Sequence, residues 1–199
     1  MNKPRDVYVL VFDGFADWEP AYALAELRRW GKRTVRTVGF TSAPVVSMGG
    51  LRISPDLELG AVHPTNVELL MLPGGERWES EEYPRAALES LITSLVASQT
   101  PVAAICAGTL ALGRARVLDE RQHTSNMRSY LPRYAAEYDG AAHYVDAPAI
   151  NDQHVITASG LAAVDFARAI LAELKVFSAK EEALWFEMFK YGRIPETAT

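Results

Sequence analysis

The single cysteine of the chain, Cys106, stands in a setting typical of a catalytic nucleophile. It directly follows the apolar residues 101–105, and Ala104 and Gly108 stand two residues before and two residues after it. A nucleophile elbow between a strand and a helix needs small residues at those two positions. At a helix start the backbone dipole favours the thiolate over the thiol. We therefore predict that Cys106 is a nucleophile, with a buried structural cysteine as the alternative.

Glu19 is the second candidate catalytic residue, because it falls in the first turn of the first predicted helix. One helical turn could hold its carboxyl above the edge of the sheet, close to Cys106. An ionised carboxylate there would repel a thiolate, whereas a protonated carboxyl would donate a hydrogen bond to it and have a raised pKa. The alternative is an ordinary acidic residue that complements the helix dipole.

Backbone N–H groups near Cys106 could stabilise negative charge on a bound substrate. Gly74 and Gly75 follow Pro73 at the end of a predicted strand, and no Cβ would keep an incoming oxygen from their N–H groups. Together with the N–H of Ala107 they could form an oxyanion hole. The alternative is a plain turn.

The four histidines offer no clear partner for the cysteine. His63 and His154 lie in predicted turns, and we expect them to face solvent, while His123 and His143 could pair with a thiolate or be structural. No group of His, Cys and Asp has the spacing of metal ligands, so we predict no metal site. The sequence has no glycine-rich nucleotide motif, so we predict no cofactor.

Short apolar runs alternate with amphipathic segments along the chain, a pattern that indicates an α/β fold. The runs 67–72 and 102–105 are continuously apolar, as in strands of a parallel sheet that is covered on both faces. Residues 45–53 contain Gly49 and Gly50 between β-prone residues and predict a β-hairpin insertion. The other predicted strands are 7–12, 34–40 and the weaker 144–145, 148–150 and 155–157. The predicted helices are 18–29, 85–98, 162–174 and 179–191. We expect the first of these to begin after Asp17 as its N-cap and to bury Tyr22.

Composition narrows the function further. The chain has 199 residues, of which 49% are hydrophobic, and a net charge of −5, so we expect one globular domain over residues 1–199 with its core at about 6–175. With no basic stripe and no apolar run long enough to span a membrane, we expect neither a nucleic-acid nor a membrane partner, and from residues 1–6 we expect no signal peptide. A single cysteine fits a reducing cytoplasm.

Several segments, taken in order, resemble the ThiJ/PfpI superfamily, which has the class I glutamine-amidotransferase-like fold and includes deglycase-like proteins. The resemblance is carried by the strand 7–12 with Glu19, residues 70–75, residues 103–108, the segment 124–126, and residues 155–160 before a helix that contains residues 165–167. It spans about residues 6–175. It implies a flavodoxin-like three-layer sandwich, mostly parallel with helices on both faces. It also implies a homodimer, a hydrogen bond between Glu19 and Cys106, and N–H groups of Gly75 and Ala107 near the sulfur.

Two departures from the family pattern bear on activity. Relatives that act as peptidases or amidases often have a histidine directly after the cysteine, where this chain has Ala107. Deglycase-like or glyoxalase-like relatives carry a histidine about twenty residues later, where this chain has Asn126. Asparagine can orient a substrate but cannot accept a proton near pH 7. His123 is three residues away, on the opposite face of an extended segment unless the chain bends.

Three hypotheses follow for the function. The first is a cysteine-dependent, hydrolase-like or hydratase-like enzyme that acts on a small electrophilic molecule, with Cys106 as nucleophile and Glu19 as acid and base. In it Asn126 or His123 would orient the substrate. The second is a non-enzymatic redox sensor or stress-response protein whose thiolate is oxidised. The third is a protease-like or amidase-like relative that kept the fold as a binding module and lost the chemistry.

Overall fold

The computed structural model describes residues 5–80 and 82–194, and its central feature is a seven-stranded sheet. The strand order is β5-β2-β1-β6-β7-β9-β8, and every neighbouring pair is parallel except β8 and β9. The strands of this sheet are β1 (Asp6–Val11), β2 (Val35–Gly39), β5 (Leu57–Glu58), β6 (Val67–Leu72), β7 (Val102–Ile105), β8 (Ala149–Asp152) and β9 (Val155–Ala158). This confirms the predicted flavodoxin-like sandwich with a mostly parallel sheet.

Helices cover both faces of the sheet, because side chains alternate between two apolar clusters along the central strands. In β7, Ala104 packs into one cluster and Ala103 into the other. Helices α3 and α4 pack on the first face, and α1, α6 and α7 on the second. The helices are α1 (Trp18–Arg29), α2 (Arg77–Ser80), α3 (Arg85–Ala97), α4 (Thr109–Arg114), α5 (Tyr130–Tyr134), α6 (Ala163–Glu173) and α7 (Ala179–Tyr191).

The predicted sheet and the observed sheet differ in two places. Residues 144–145 do not form a strand, because Tyr144 makes only an isolated bridge with His123. The short edge strand β5 was not predicted, since two residues are too few to show an alternating pattern.

The predicted hairpin is present and is attached to the loop before α1. Its strands are β3 (Val45–Val46) and β4 (Arg52–Ile53), which pair antiparallel. The Asp17 carboxylate accepts hydrogen bonds from the Ser47 hydroxyl and the Gly49 N–H. Asp17 is the N-cap residue of α1, as predicted, but its carboxylate bonds to the hairpin and makes no capping bond to the helix.

The exposed faces of two helices depart from a simple amphipathic pattern. Tyr22, predicted to be buried, is 37% exposed and packs its ring on Phe189 of α7. Helix α7 begins with a capping box made by Ser178 and Glu181, and it buries Trp185 in the second cluster. None of the helices in residues 5–80 and 82–194 is long and apolar enough to cross a membrane.

Candidate active site

Three neighbouring strands deliver the candidate residues to one edge of the sheet. Glu19 follows β1, Gly74 follows β6 and Cys106 follows β7. The strand order reverses between β1 and β6, which makes this the position where ligands bind in open α/β sheets. These three residues are far apart in the sequence. The parallel pairing of β1, β6 and β7 brings them together.

Cys106 occupies a tight turn between β7 and α4. Its φ is +57°, a left-handed conformation that is uncommon for a residue with a side chain. The Thr109 hydroxyl donates a hydrogen bond to the Cys106 carbonyl at 2.6 Å, which fastens the turn from its far side. The sulfur is half-buried, so it remains within reach of solvent. This is the geometry expected of a nucleophile elbow.

Glu19 is buried beside this sulfur, with 1% of its surface exposed. Its Oε2 accepts a hydrogen bond from the Gly74 N–H at 2.5 Å, and its carboxyl is also hydrogen-bonded to Cys106. Burial raises the pKa of Glu19 to about 7, although the Gly74 and Cys106 hydrogen bonds act in the opposite direction. Near neutral pH the carboxyl can therefore both accept and donate a proton.

The pKa of Cys106 is raised to about 11, first by burial and then by the negative charge of Glu19. Hydrogen bonds from Asn126 and from the Ala107 N–H oppose this rise. The sequence predicted that the helix dipole would lower the thiol pKa; in the structure, burial and the charge of Glu19 act in the opposite direction and prevail. Glu19 and Cys106 titrate as a pair, and the pair loses its first proton near neutral pH.

Asn126 lies against the other side of the sulfur. Its Nδ2 donates to the Cys106 Sγ at 3.3 Å, and its Oδ1 accepts from the Gly160 N–H at 3.0 Å. The second bond fixes which end of the amide faces the sulfur. Asn126 can therefore stabilise negative charge on sulfur, but it cannot remove a proton.

Two glycines leave the space that the cysteine side chain fills. A Cβ on Gly160 would stand 2.8 Å from Cys106 Sγ, and one on Gly74 would stand 2.8 Å from Cys106 Cβ. Real Cβ atoms do not approach so closely, so only glycine fits either position without a shift. Gly160 was not among the predicted site residues. Its position at the end of β9 was the one sequence signal that could have identified it.

The N–H groups of Gly74, Gly75 and Ala107 were all predicted to bind an oxyanion, but in the structure one of them has another partner. The Gly74 N–H bonds to Glu19, so it orients that carboxyl instead of facing a bound oxyanion. The Ala107 N–H bonds to the Cys106 sulfur. Gly75 has a φ of +149°, and a Cβ there would meet the Phe12 ring at 2.7 Å. For Gly75 and Ala107, the binding of an oxyanion stays a prediction.

His123 and His154 form their hydrogen bonds with groups other than Cys106. His123 is fully buried, and its ring is hydrogen-bonded to the Arg121 carbonyl and to the Tyr138 hydroxyl, both at 2.7 Å. His123 therefore does not orient a substrate at Cys106, because both ring nitrogens already have partners. His154 pairs with Glu173 at the surface. None of the hydrogen bonds to the Cys106 side chain within the described residues comes from a histidine.

A cavity adjoins the candidate site through Asn126, and Cys106 and Glu19 are not among its lining residues. Its volume is about 400 Å³, it also borders Ser159, and the exposed Leu161 stands at its rim. Tyr130 lies within electrostatic range of Cys106 and donates a hydrogen bond to Glu79 at 2.8 Å. A larger cavity, about 730 Å³, lies at the opposite ends of the strands and is far from this chemistry. In residues 5–80 and 82–194 no cluster of three acidic, histidine or cysteine side chains could hold a metal ion.

Comparisons with known proteins show the family to which this chain belongs. Residues 5–173 match the DJ-1/PfpI family. A Bacillus subtilis protein named uncharacterized protease YoaZ is 35% identical over 195 residues, which cover 94% of this chain and 92% of that protein. Deglycase TK1284 from Thermococcus kodakarensis is 29% identical over 150 residues, covering 74% of this chain and 89% of that protein. The crystal structure of the DJ-1 superfamily protein Atu0886 from Agrobacterium tumefaciens superposes with a TM-score of 0.86 at 35% identity, over 95% of this chain and all of the other.

Proposed function

We propose that this chain, which belongs to the DJ-1/PfpI family, is a cysteine-dependent enzyme of hydrolase-like or hydratase-like type that acts on a small electrophilic molecule. The observation that carries the proposal is the buried carboxyl of Glu19, with a pKa of about 7, in hydrogen-bond contact with the half-buried thiol of Cys106. A base works best when its pKa lies near the working pH. Glu19 meets that condition.

The first step is the addition of sulfur to a carbonyl carbon. The Glu19 carboxylate takes the thiol proton while the sulfur–carbon bond forms and the carbonyl π electrons move onto oxygen. The N–H groups of Gly75 and Ala107 would hold that oxygen. With an aldehyde, Glu19 returns its proton to the oxygen and a hemithioacetal results.

An ester or thioester would continue to hydrolysis. The tetrahedral adduct re-forms its carbonyl and expels the alkoxide or thiolate, which takes the proton from Glu19. Glu19 then removes a proton from water, and the resulting hydroxide displaces the Cys106 thiolate from the acyl group. The thiolate recovers that proton from Glu19, which restores the starting pair. Each step uses one proton and the same carboxyl.

Peptide hydrolysis is less well supported, although two relatives carry protease or deglycase in their names. An amine leaving group must be protonated as it departs. Serine and cysteine proteases use a histidine for this step, but no histidine in residues 5–80 and 82–194 is hydrogen-bonded to Cys106, so Glu19 alone would have to supply the proton. Good leaving groups do not need that assistance.

The test is hydrolysis of p-nitrophenyl acetate, followed by release of nitrophenolate and by intact mass. We expect an acetylated Cys106 in the wild type and no catalysis above background in Cys106→Ala. Glu19→Gln should lower kcat/KM by about 100-fold or more. The matched control is Glu58→Gln, an exposed glutamate at the sheet edge, which should retain the wild-type rate. A wild type no faster than Cys106→Ala, with a folded circular dichroism spectrum, would contradict the proposal.

The pH profile gives an independent prediction. Since the reaction needs Glu19 as carboxylate, kcat/KM should rise with pH through a midpoint of about 7. In Glu19→Gln that midpoint should vanish, and the residual rate should follow ionisation of the thiol alone. Rates measured from pH 5 to 9 decide this, and a wild-type rate that does not change across pH 7 would exclude Glu19 as the base.

Redox sensing is the second candidate, supported by the half-exposed thiol with hydrogen-bond donors around it. Peroxide treatment followed by intact mass separates the two functions. Rapid gain of two oxygen atoms on Cys106, without any ester or aldehyde turnover, would favour a sensor. Slow oxidation beside measurable turnover would favour the enzyme.

A further inference from the structure

Two buried hydroxyl groups lie behind the turn that carries Cys106. Thr109 is the first residue of α4, and Ser125 precedes Asn126 in the chain. The Thr109 hydroxyl oxygen stands 2.6 Å from the Cys106 carbonyl oxygen and 2.7 Å from the Ser125 hydroxyl oxygen. Thr109 is 0% exposed and Ser125 is 2% exposed, so these hydrogen bonds are shielded from water. We call Ser125 and Thr109 the hydroxyl relay.

The chemistry of the acceptor fixes the direction of both bonds in the hydroxyl relay. A carbonyl oxygen can only accept, so the single proton of the Thr109 hydroxyl lies on its bond to Cys106. Thr109 has no second hydroxyl proton to give, so Ser125 donates and Thr109 accepts in the bond between them. The relay therefore runs from Ser125 through Thr109 to the Cys106 carbonyl, and each hydroxyl polarises the next.

The Cys106 carbonyl and the Ala107 N–H belong to the same peptide group. That group is planar and trans, so its N–H points away from its C=O. A donor on the carbonyl oxygen holds the plane in place and draws electrons toward oxygen, which makes the N–H a stronger donor. The Ala107 N–H bonds to the Cys106 sulfur. The hydroxyl relay therefore reaches the sulfur through one rigid peptide group.

We propose that the hydroxyl relay positions and polarises the Cys106–Ala107 peptide group, and thereby stabilises the thiolate of Cys106. Ser125 and Thr109 act through another group, so they are positioning residues and transfer no proton. The Asn126 amide reaches the same sulfur directly, at 3.3 Å, and the residue before it supports that sulfur through the backbone. The inference rests on the proposed function in one respect, because the Ala107 N–H is also proposed to hold a substrate oxygen.

The experiment measures ionisation of Cys106 in the full chain. The chain has one cysteine, so labelling cysteine with ¹³C at Cβ gives a single signal, whose shift between pH 6 and 11.5 follows the thiol. In Ser125→Ala the thiolate loses part of its stabilisation, so the midpoint for the thiol should rise by about half a unit. Alkylation by iodoacetamide at pH 8 should slow by about twofold to threefold, because less thiolate is present.

Variants of Thr109 test the order of the hydroxyl relay, and Glu19 stays unchanged in all of them. Thr109→Ser keeps the hydroxyl and should titrate as the wild type does, whereas Thr109→Val keeps the shape and should raise the midpoint at least as far as Ser125→Ala. The double variant should match Thr109→Val alone, because Ser125 acts only through Thr109. Thr93→Val is the control, since that exposed hydroxyl donates to carbonyls of its own helix, α3, and its loss should not move the midpoint. Should Thr109→Val fail to fold, Ser125→Ala and Thr109→Ser still decide.

Three outcomes would overturn the proposal. One is a folded Ser125→Ala whose midpoint and alkylation rate equal those of the wild type. Another is slower alkylation with an unmoved midpoint, which reduces the two hydroxyls to a structural role that limits access to the sulfur. The third is a double variant whose shift is the sum of the two single shifts, which means that Ser125 and Thr109 act separately. These midpoints need no turnover, so they decide the inference whether or not the wild type hydrolyses p-nitrophenyl acetate, and that hydrolysis alone decides the proposed function.

Discussion

At the scale of single residues, Glu19 determines how the candidate site behaves. Its carboxyl is held in place by the Gly74 N–H and has few water contacts, so burial favours the protonated form. The same carboxyl, when ionised, opposes ionisation of Cys106. The pair therefore holds one proton near neutral pH, and in the proposed mechanism Glu19 takes that proton from the thiol as the sulfur adds to its substrate.

The raised pKa of Glu19 also predicts a pH-dependent stability. The unfolded carboxyl loses its proton near its ordinary value of 4.5, whereas the folded one keeps it to about 7. Between these values the folded state binds more protons than the unfolded state, so stability falls as pH rises, by about 3 kcal/mol in total. In Glu19→Gln this fall should be absent. Urea unfolding of both proteins at pH 4.5, 6 and 8 measures it, and parallel curves would contradict the assignment.

Gly160 predicts a steric effect on the nucleophile. In Gly160→Ala the new Cβ would stand 2.8 Å from Cys106 Sγ, so the sulfur must rotate and leave the Asn126 amide. We expect alkylation of Cys106 by iodoacetamide to slow by about fivefold to tenfold, with the fold retained. Gly60→Ala is the control, since nothing lies within 4 Å of its Cβ position. An unchanged rate in Gly160→Ala would show that the pocket around the sulfur can relax.

At the scale of elements, each strand end contributes one part of the site and the hairpin steadies the loop between β1 and α1. The hairpin holds that loop through the Asp17 carboxylate and through backbone bonds from Gly14 N–H to Val46 O and from Met48 N–H to Phe15 O, both 2.8 Å. Glu19 lies two residues after Asp17 in the chain. The hairpin is thus part of the support for the Glu19 carboxyl of the candidate site.

Removing the Asp17 carboxylate should loosen this support. Asp17→Ala loses the bonds from the Ser47 hydroxyl and the Gly49 N–H, and we expect a loss of about 1–2 kcal/mol of stability. Amide hydrogen exchange at Gly49 should accelerate, and urea unfolding gives the stability. Asp146→Ala, at another exposed loop, is the control and should be neutral. Unchanged exchange at Gly49 would mean that the backbone bonds alone hold the hairpin.

At the scale of the whole molecule, the homodimer stays a prediction that can be tested directly. Exposed apolar side chains adjoin the site in the chain: Trp18, next to Glu19, is 50% exposed, and Leu161, next to Gly160, is 97% exposed. Such exposure favours association. Sedimentation equilibrium should give twice the 21.9 kDa chain mass, and the double variant Trp18→Ser with Leu161→Ser should give a monomer. Ile194→Ser, at another exposed apolar residue, should remain a dimer, and a monomeric wild type would end the prediction.

The sequence could predict the layers and the tight turn at Cys106 because both depend on local pattern. Continuous apolar runs predicted β6 and β7, and small residues around Cys106 predicted the turn that the structure has at φ +57°. Long-range features were beyond such reasoning. The bond from Gly74 to Glu19, the packing of Gly160 on sulfur and the burial that sets both pKa values arise only when distant strands pair.

The close packing of Gly160 against Cys106 has a consequence for the nascent chain. A ribosome adds Gly160 about fifty residues after Cys106, which takes several seconds at ordinary elongation rates. Until β9 docks, the sulfur lacks its Gly160 neighbour and the Asn126 amide lacks the bond that orients it. During translation the thiol is therefore a solvated group with ordinary reactivity, open to small electrophiles in the cell. Completion of the last parallel strand is the event that converts it from an unprotected thiol into an organised one.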